Sequence, residues 1–190
     1  MMGSKELVDF FFEAGFLKSV PRSGWFFLGK NNPESVAEHS FRTALIGYVI
    51  AKKEGADADL VMKICLFHDF HETRLGDFNM VNKRYMEPGE AEKKSFSEAL
   101  DPLDEEIKSE LIKLHSDFEG DSFEAMIAKD ADFLECAVQA KEYFDQGSEM
   151  AWGWIKNAES KLKTNTAKEI FESLLSSSSF KWWEDLKKTD

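Results

Sequence analysis

The sequence predicts an all-α fold, a single helical bundle, on three observations. Apolar residues recur at helical spacing nearly throughout the chain. Gly and Pro together number only 15 of 190 residues, so long elements run without interruption. No segment shows the apolar–polar alternation of a half-buried strand.

The elements follow in order. A first helix is expected over about residues 6–17, with Val8, Phe11, Phe12 and Phe16 as apolar positions. Residues 21–33, bounded by prolines, read as a loop that holds Arg22, Ser23, Gly24 and Trp25. The second helix has a clear start, because Ser35 followed by Glu38 has the spacing of a capping box. Its apolar stripe is Phe41, Ala44, Leu45 and Tyr48, and Gly55 closes it. Asp57 or Asp59 can cap a third helix that carries Leu60, Ile64 and Phe67 and stops near Gly76. Pro88-Gly89 marks a loop, and further helices are expected at about residues 90–100, 105–118, 122–145, 149–162 and 167–175. The serines at 176–179 form a turn before a short Trp-bearing helix from Phe180. With 17 Phe and 5 Trp, an aromatic-rich core is expected.

A chain of 190 residues suits one sizeable core and is short for two. Residues 1–190 are therefore expected to form one domain, with chemistry-bearing residues over about 10–145 and C-terminal helices over about 148–190. The net charge is −12, whereas a nucleic-acid polymer would call for a basic footprint. The longest uncharged stretch in the middle of the chain, residues 43–51, is far short of the roughly 20 that a membrane span needs. Glu6, Asp9 and Glu13 put acid where a signal peptide would be apolar or basic. The two cysteines, Cys65 and Cys136, lie in apolar helical runs and suggest no disulfide framework, so a reducing cytoplasm is the expected compartment.

The candidate chemistry starts from the four histidines, His39, His68, His71 and His115. Two stand in acid-rich helical contexts, Glu38-His39 and His68-Asp69-Phe70-His71-Glu72. A short link at Gly55 should make the second and third helices antiparallel neighbours. His39 precedes Gly55 by 16 residues and His68 follows it by 13. At a rise of ~1.5 Å per residue the two imidazoles stand about 24 and about 20 Å from the turn, so their levels match. With Asp69 they can converge on one divalent cation, and mixed imidazole–carboxylate ligation suits a first-row metal. Such an ion acidifies a bound water. Glu72, four residues after His68, can orient or deprotonate that water without being a ligand.

A fourth ligand is expected from a distant helix. The run Lys129-Asp130-Ala131-Asp132 offers two carboxylates, and periodicity alone does not choose between them. Asp130 shares a face with Ile127, Phe133 and Leu134, and Asp132 shares one with Ala128, Cys136 and Gln139. The amide-bearing first turn of the second helix, together with Lys83 and Arg84, is expected to draw an anion to an otherwise acidic protein. His71 is read as supporting the site or lying at the surface, and His115 as a helix-surface residue.

His39, then His68-Asp69, then Asp132 resembles the H…HD…D signature of the HD-domain metal-dependent phosphohydrolases. The blocks Ser35-Val36-Ala37-Glu38-His39-Ser40, His68-Asp69-x-x-Glu72, Gly76-Asp77 and Lys129-x-Ala131-Asp132 further resemble the 5'-deoxynucleotidase branch, over about residues 10–143. The resemblance implies that His39, His68, Asp69 and Asp132 bind one divalent metal ion (Co, Mn, Ni, Zn, Fe or Mg). It implies that Glu72 positions the attacking water and that Asp77 accepts a hydrogen bond from the sugar 3'-hydroxyl. Arg22 and Trp25 resemble the family's phosphate-binding and sugar-packing pair, with Ser23 and Gly24 between them as in one form of the family. The implied activity is hydrolysis of deoxynucleoside 5'-monophosphates to deoxynucleoside and phosphate by a cytosolic homodimer. An HD-fold phosphodiesterase or other nucleotide phosphohydrolase is the alternative. A two-metal oxygenase would need more histidines than four. A non-catalytic, metal-stabilised helical dimer would have no use for a water-orienting Glu72.

Overall fold

The structure is a computed structural model that describes residues 3–187; the expected domain's outermost residues, 1–2 and 188–190, lie outside the described residues. Among the described residues every regular element is helical, and the sole extended pairing is an isolated bridge between Pro21 and Ser35. The helices are α1 (Ser4–Phe16), α2 (Val36–Glu54), α3 (Ala58–Phe67), α4 (Glu72–Leu75), α5 (Met80–Tyr85), α6 (Gly89–Ala99), α7 (Glu105–Glu119), α8 (Phe123–Asp145), α9 (Trp152–Glu159), α10 (Asn165–Ser176) and α11 (Lys181–Glu184).

The centre is built by α2, α3 and α8, each packed on the other two. Helix α2 starts at a full capping box, in which Glu38 N donates to Ser35 Oγ at 3.3 Å and Ser35 N donates to Glu38 Oε2 at 2.7 Å. It ends at Gly55, whose φ of 75° is the left-handed conformation that a side chain would disfavour. Asp57 caps α3 by accepting from Leu60 N at 3.0 Å. The three central helices meet at Gly47. A methyl added there would stand 2.8 Å from Cys65 Sγ on α3, 3.0 Å from Val61 and 3.4 Å from Ala131 on α8.

That close approach explains a difference from the expected burial. The inward face of α2 is small and polar: His39, Ser40, Thr43, Ala44, Gly47 and Ala51 accompany Val36 and Ile50. Phe41 and Leu45, expected to face the core, are exposed instead, as is Val49 one turn further. On α1 the Phe10–Phe12 run, expected in the core or at a dimer contact, divides between the two sides of the helix. Val8, Phe11, Phe12 and Phe16 are exposed, and Phe10 alone is buried, with its ring 5.5 Å from that of Phe70. The core is thus mainly aliphatic, with few aromatic anchors such as Trp25, Phe70, Phe96 and Phe171.

Three shorter features were not expected. Residues Ser23–Leu28, within the predicted loop, coil into a 3-10 helix. Helix α5 starts at its own capping box between Asn79 and Asn82. The third helix stops at its cap His68, and the chain turns tightly through 68–71, with Phe70 N donating to Phe67 O and Glu72 N to Asp69 O.

Candidate metal centre and substrate pocket

Three segments deliver the predicted ligand side chains to one place. His39 comes from the first turn of α2, His68 and Asp69 from the tight turn after α3, and Asp132 from the middle of α8. His39 Nε2 lies 3.2 Å from Asp132 Oδ1 and 3.6 Å from Asp69 Oδ2, and His68 Nε2 lies 3.1 Å from Asp69 Oδ2. The two imidazole centroids are 5.4 Å apart. Asp130 stands outside this cluster. Its carboxylate accepts from Lys163 N, Thr164 N and Thr164 Oγ1 at 2.7–2.8 Å and so fastens the start of α10.

The far nitrogens of both imidazoles are occupied by acceptors. His68 Nδ1 donates to Cys65 O at 2.7 Å, and His39 Nδ1 donates to Glu135 Oε2 at 2.5 Å. Each Nδ1 therefore carries the proton, and each Nε2 presents a lone pair. Both Nε2 atoms are buried and have no hydrogen-bond partner. Two buried lone pairs between two carboxylates are costly unless a cation sits among them. The donor set thus fits a divalent metal, and carboxylate-backed imidazole is the usual support for one.

The electrostatics agree. Burial and the charge of Arg22 both push His39 down, yet Glu135 and Asp132 outweigh them and raise it to about 10, so Nε2 takes a proton wherever a metal ion does not claim its lone pair. Burial alone would raise Asp69, but His68, Arg22 and His39 hold it well below the usual carboxylate range. Asp132 is held low against burial by His39, His68 and Arg22. The cluster calls for positive charge, as a site for a divalent ion must. A second group of donors, Glu34, His39 and Glu135, also lies within 4.8 Å. There Arg42 already supplies the cation, with Nε 2.9 Å from Glu135 Oε1 and Nη2 3.7 Å from Glu34 Oε2.

Glu72 is 6% exposed, and its Oε2 is buried without a partner. Burial, then the charges of Asp69 and Asp77, raise its pKa well above the ordinary carboxylate value. Arg22 Nη1 bridges Asp69 and Asp77 at 3.2 Å each, and its Nη2 is 4.0 Å from Asp132. Asp77 also accepts from Ser23 N at 2.7 Å and Ser23 Oγ at 2.6 Å, which ties the Gly76-Asp77 loop to the 3-10 helix. Trp25 is 2% exposed, donates to Glu34 at 2.8 Å, meets Tyr143 edge-on and lies tilted against Trp154, so it is mainly a core residue that also reaches the pocket.

Arg22, Trp25, His68, Asp69, Glu72, Asp77 and Asp132 line a cavity of about 290 Å³, close to the lower end of ordinary small-ligand pockets. His71, expected to support the site or lie outside it, is buried in one wall with Nε2 3.6 Å from Glu92. His115, expected at the surface, is half-buried in the same wall, with its ring 4.3 Å from that of Phe96. Burial, then the charge of His71, lowers it to about 4. Lys83 lines the pocket and Arg84 does not. The first-turn amides of α2 are largely spent within the protein, Val36 N on Val20 O and Glu38 N on Ser35 Oγ, so the expected anion contribution from that helix end is reduced. Sequence reasoning missed Glu135, Arg42 and the opposite wall of the pocket on α9. Glu135 had a signal, its i,i+3 relation to Asp132. Arg42 bears the same relation to His39.

Fold and site together define an α-helical protein organised around a cluster of two histidines and two aspartates, of which His39, His68 and Asp69 lie close enough together to hold a metal ion. A family model described as HD domain matches residues 14–174. The chain belongs to the HD domain family. A Dictyostelium discoideum protein named 5'-deoxynucleotidase HDDC2 is 34% identical over 148 residues, 73% of this chain and 78% of the relative. The human protein of the same name is 33% identical over 145 residues, 75% of this chain and 71% of the relative. A solved structure of a conserved hypothetical protein from Pyrococcus furiosus superposes with a TM-score of 0.74 at 31% identity, covering 90% of this chain and 99% of that one.

Proposed function

We propose that this chain is a metal-dependent phosphomonoesterase that hydrolyses deoxynucleoside 5'-monophosphates to deoxynucleoside and phosphate. The observation that carries the reading is the pair of buried, partnerless Nε2 atoms of His39 and His68, set between Asp69 and Asp132 beside an open pocket. The relatives named 5'-deoxynucleotidase supply the substrate class.

His39, His68, Asp69 and Asp132 would hold one divalent ion, drawn from Co, Mn, Ni, Zn, Fe or Mg. Bound there, the ion neutralises phosphate charge and acidifies a water towards a pKa of roughly 7. Glu72, once ionised, takes the proton from the attacking water on its buried Oε2, which has no partner within the protein. Arg22, held by Asp69 and Asp77, turns its remaining donors to the phosphate. Asp77 keeps acceptor capacity beyond its bonds to Arg22 and Ser23, and offers it to the sugar 3'-hydroxyl. The edge of Trp25 backs the sugar. We read the whole of residues 1–190 as one HD domain, its C-terminal helices closing the pocket.

The exposed rings of Phe11, Phe12, Phe16 and Phe41 support a homodimer. The two free cysteines support a cytoplasmic setting. Among the described residues no helix is long and apolar enough to cross a membrane.

The test is phosphate release from deoxy- and ribonucleoside monophosphates and from a cyclic nucleotide, across several divalent metals. The metal-loaded protein should release phosphate from the deoxynucleotides. Glu72→Ala should keep its metal and lose about 10²–10⁴-fold in turnover. No release from any monophosphate ends the reading, and wild-type turnover in Glu72→Ala removes that residue from the chemistry.

A further inference from the structure

The wall of the pocket facing His71 and His115 comes from the C-terminal part of the chain, where the sequence offers no recognisable pattern. Trp154, Asn157, Ala158 and Lys161 all line the cavity. Their spacing of three, four and seven residues puts them on one helical face, begun by α9 and continued by the turn after it. Helix α9 packs on α8, which carries Asp132, and between the two the cavity is floored by Phe133 and Cys136. One cavity is therefore lined both by Asp69 and Asp132 and by this face, with Asp77 and Trp25 also in its walls.

The chemistry of that face suits a flat heteroaromatic group. Trp154 is half-buried and fixed from behind, with its ring 5.8 Å from Trp25 at an interplanar angle of 35°. Its indole nitrogen lies 3.9 Å from where a side-chain carbon at Gly24 would be. Asn157, one turn on, is exposed, and among the described residues its amide nitrogen finds only the thioether of Met80 at 4.0 Å. Its amide carries donor and acceptor capacity that the protein leaves unused. Lys161 closes the end with its ammonium 4.6 Å from the Phe133 ring centroid. A rigid indole next to an uncommitted carboxamide is what stacking on a base and reading its edge require.

We infer that the Trp154–Asn157 face of α9 is the nucleobase wall of this pocket, with Trp154 packing on the base and Asn157 hydrogen-bonding its edge. The inference rests on the nucleotidase reading and deepens it, because it assigns the discrimination among bases to the C-terminal helices. Trp154 sets how tightly any base is held, and Asn157 sets which base is preferred.

The experiment compares steady-state kinetics on the four deoxynucleoside monophosphates with those on 2-deoxyribose 5-phosphate, which keeps the sugar and phosphate and lacks the base. Wild-type protein, Trp154→Ala, Trp154→Phe and Asn157→Ala are loaded with the same metal, and their metal content is measured. Trp154→Ala should raise KM for every deoxynucleotide by about tenfold or more, and raise it far less for the sugar phosphate. Trp154→Phe should recover most of that loss. Asn157→Ala should flatten the ranking of the four bases while metal content stays at the wild-type level. If Trp154→Ala weakens the sugar phosphate as much as the nucleotides, or the base ranking survives Asn157→Ala, the wall is misassigned. Wild-type protein that handles the sugar phosphate as well as any nucleotide also overturns the inference, but leaves the phosphatase reading standing. Wild-type protein inert on all of them fails that reading first.

Discussion

Glu135 has no exposure to solvent, yet its carboxylate is held ionised and accepts hydrogen bonds from two side chains. Its Oε2 takes the proton side of His39 at 2.5 Å, and its Oε1 takes Arg42 Nε at 2.9 Å. Arg42 is in turn anchored by Gln139 at 2.6 Å and Glu142 at 2.8 Å on the same face of α8. The imidazole of His39 thus has its ring plane and tautomer set from behind, so that its lone pair points at the cation centre. Glu135→Gln keeps the size and removes the charge. It should lower the affinity for a divalent ion by about 10–100-fold, read by titration calorimetry with Mn²⁺ or Zn²⁺ while the helical circular dichroism stays as in wild type. An unchanged affinity would mean that His39 needs no such backing. At this scale the sequence was generous where chemistry repeats a pattern and silent where it depends on a partner. His39, His68, Asp69 and Asp132 could be read in order along the chain. Asp130 and Asp132 could not be separated, because the deciding fact is the start of α10, whose Thr164 claims Asp130 from a point 34 residues away. His115 looked like a surface residue because its partners, Phe96 and His71, lie on other segments.

The central helices show why element positions were easier to read than their faces. Ser35, Gly55 and Asp57 are local signals, and α2 begins and ends at the first two and α3 begins at the third as expected, whereas α3 ends at His68, short of the glycine at 76. The stripe Phe41–Leu45 was also real periodicity, but it marks the outside of α2. A helix squeezed between two others needs small side chains inward, and Gly47 is where the squeeze is tightest, with Cys65 and Val61 on one side and Ala131 on the other. Short elements such as α5 and the 3-10 turn at Ser23–Leu28 offer too few residues for any period to show. The element-scale prediction concerns Gly47→Ala. Alanine favours the helix by about 0.5–1 kcal/mol, but the added methyl overpacks a dry junction at a cost of typically 1–3 kcal/mol. The net loss of about 1–2 kcal/mol should lower Tm by roughly 2–8 °C for a chain of this size. Because α2 carries His39 and α3 leads into His68, the same change should loosen divalent-ion binding as well. A Tm equal to or above wild type would show that α2 and α3 can part freely, and that the junction does not hold the centre.

For the molecule as a whole, charge and apolar surface pull in opposite directions. Each copy carries a net charge of −12, so two copies repel one another in dilute salt. Against this stand α1, whose Phe11 is 62% and Phe12 73% exposed, and the outer ridge of α2, where Phe41 is 64% exposed with Leu45 and Val49 at the following turns. The Leu17–Ser19 turn after α1 packs on α2, which links the two elements that carry these rings. At about 200 Å² for a fully exposed ring, the four rings of Phe11, Phe12, Phe16 and Phe41 amount to roughly 500 Å². The aliphatic neighbours bring this near the ~800 Å² per partner of a standard interface. A second copy meeting this face buries rings that a monomer has no reason to expose. The balance gives a signature that a polar interface would not share. Salt screens the repulsion over a Debye length of about 10 Å at 0.1 M and leaves the apolar contact intact, so association should tighten as sodium chloride rises from low to moderate concentration. Sedimentation equilibrium should report a dimer that weakens at low salt, and the double variant Phe12→Glu, Phe41→Glu should be monomeric while keeping its divalent-ion affinity. A protein that is monomeric at every salt concentration, or a double variant that remains dimeric, would turn this face over to some other use.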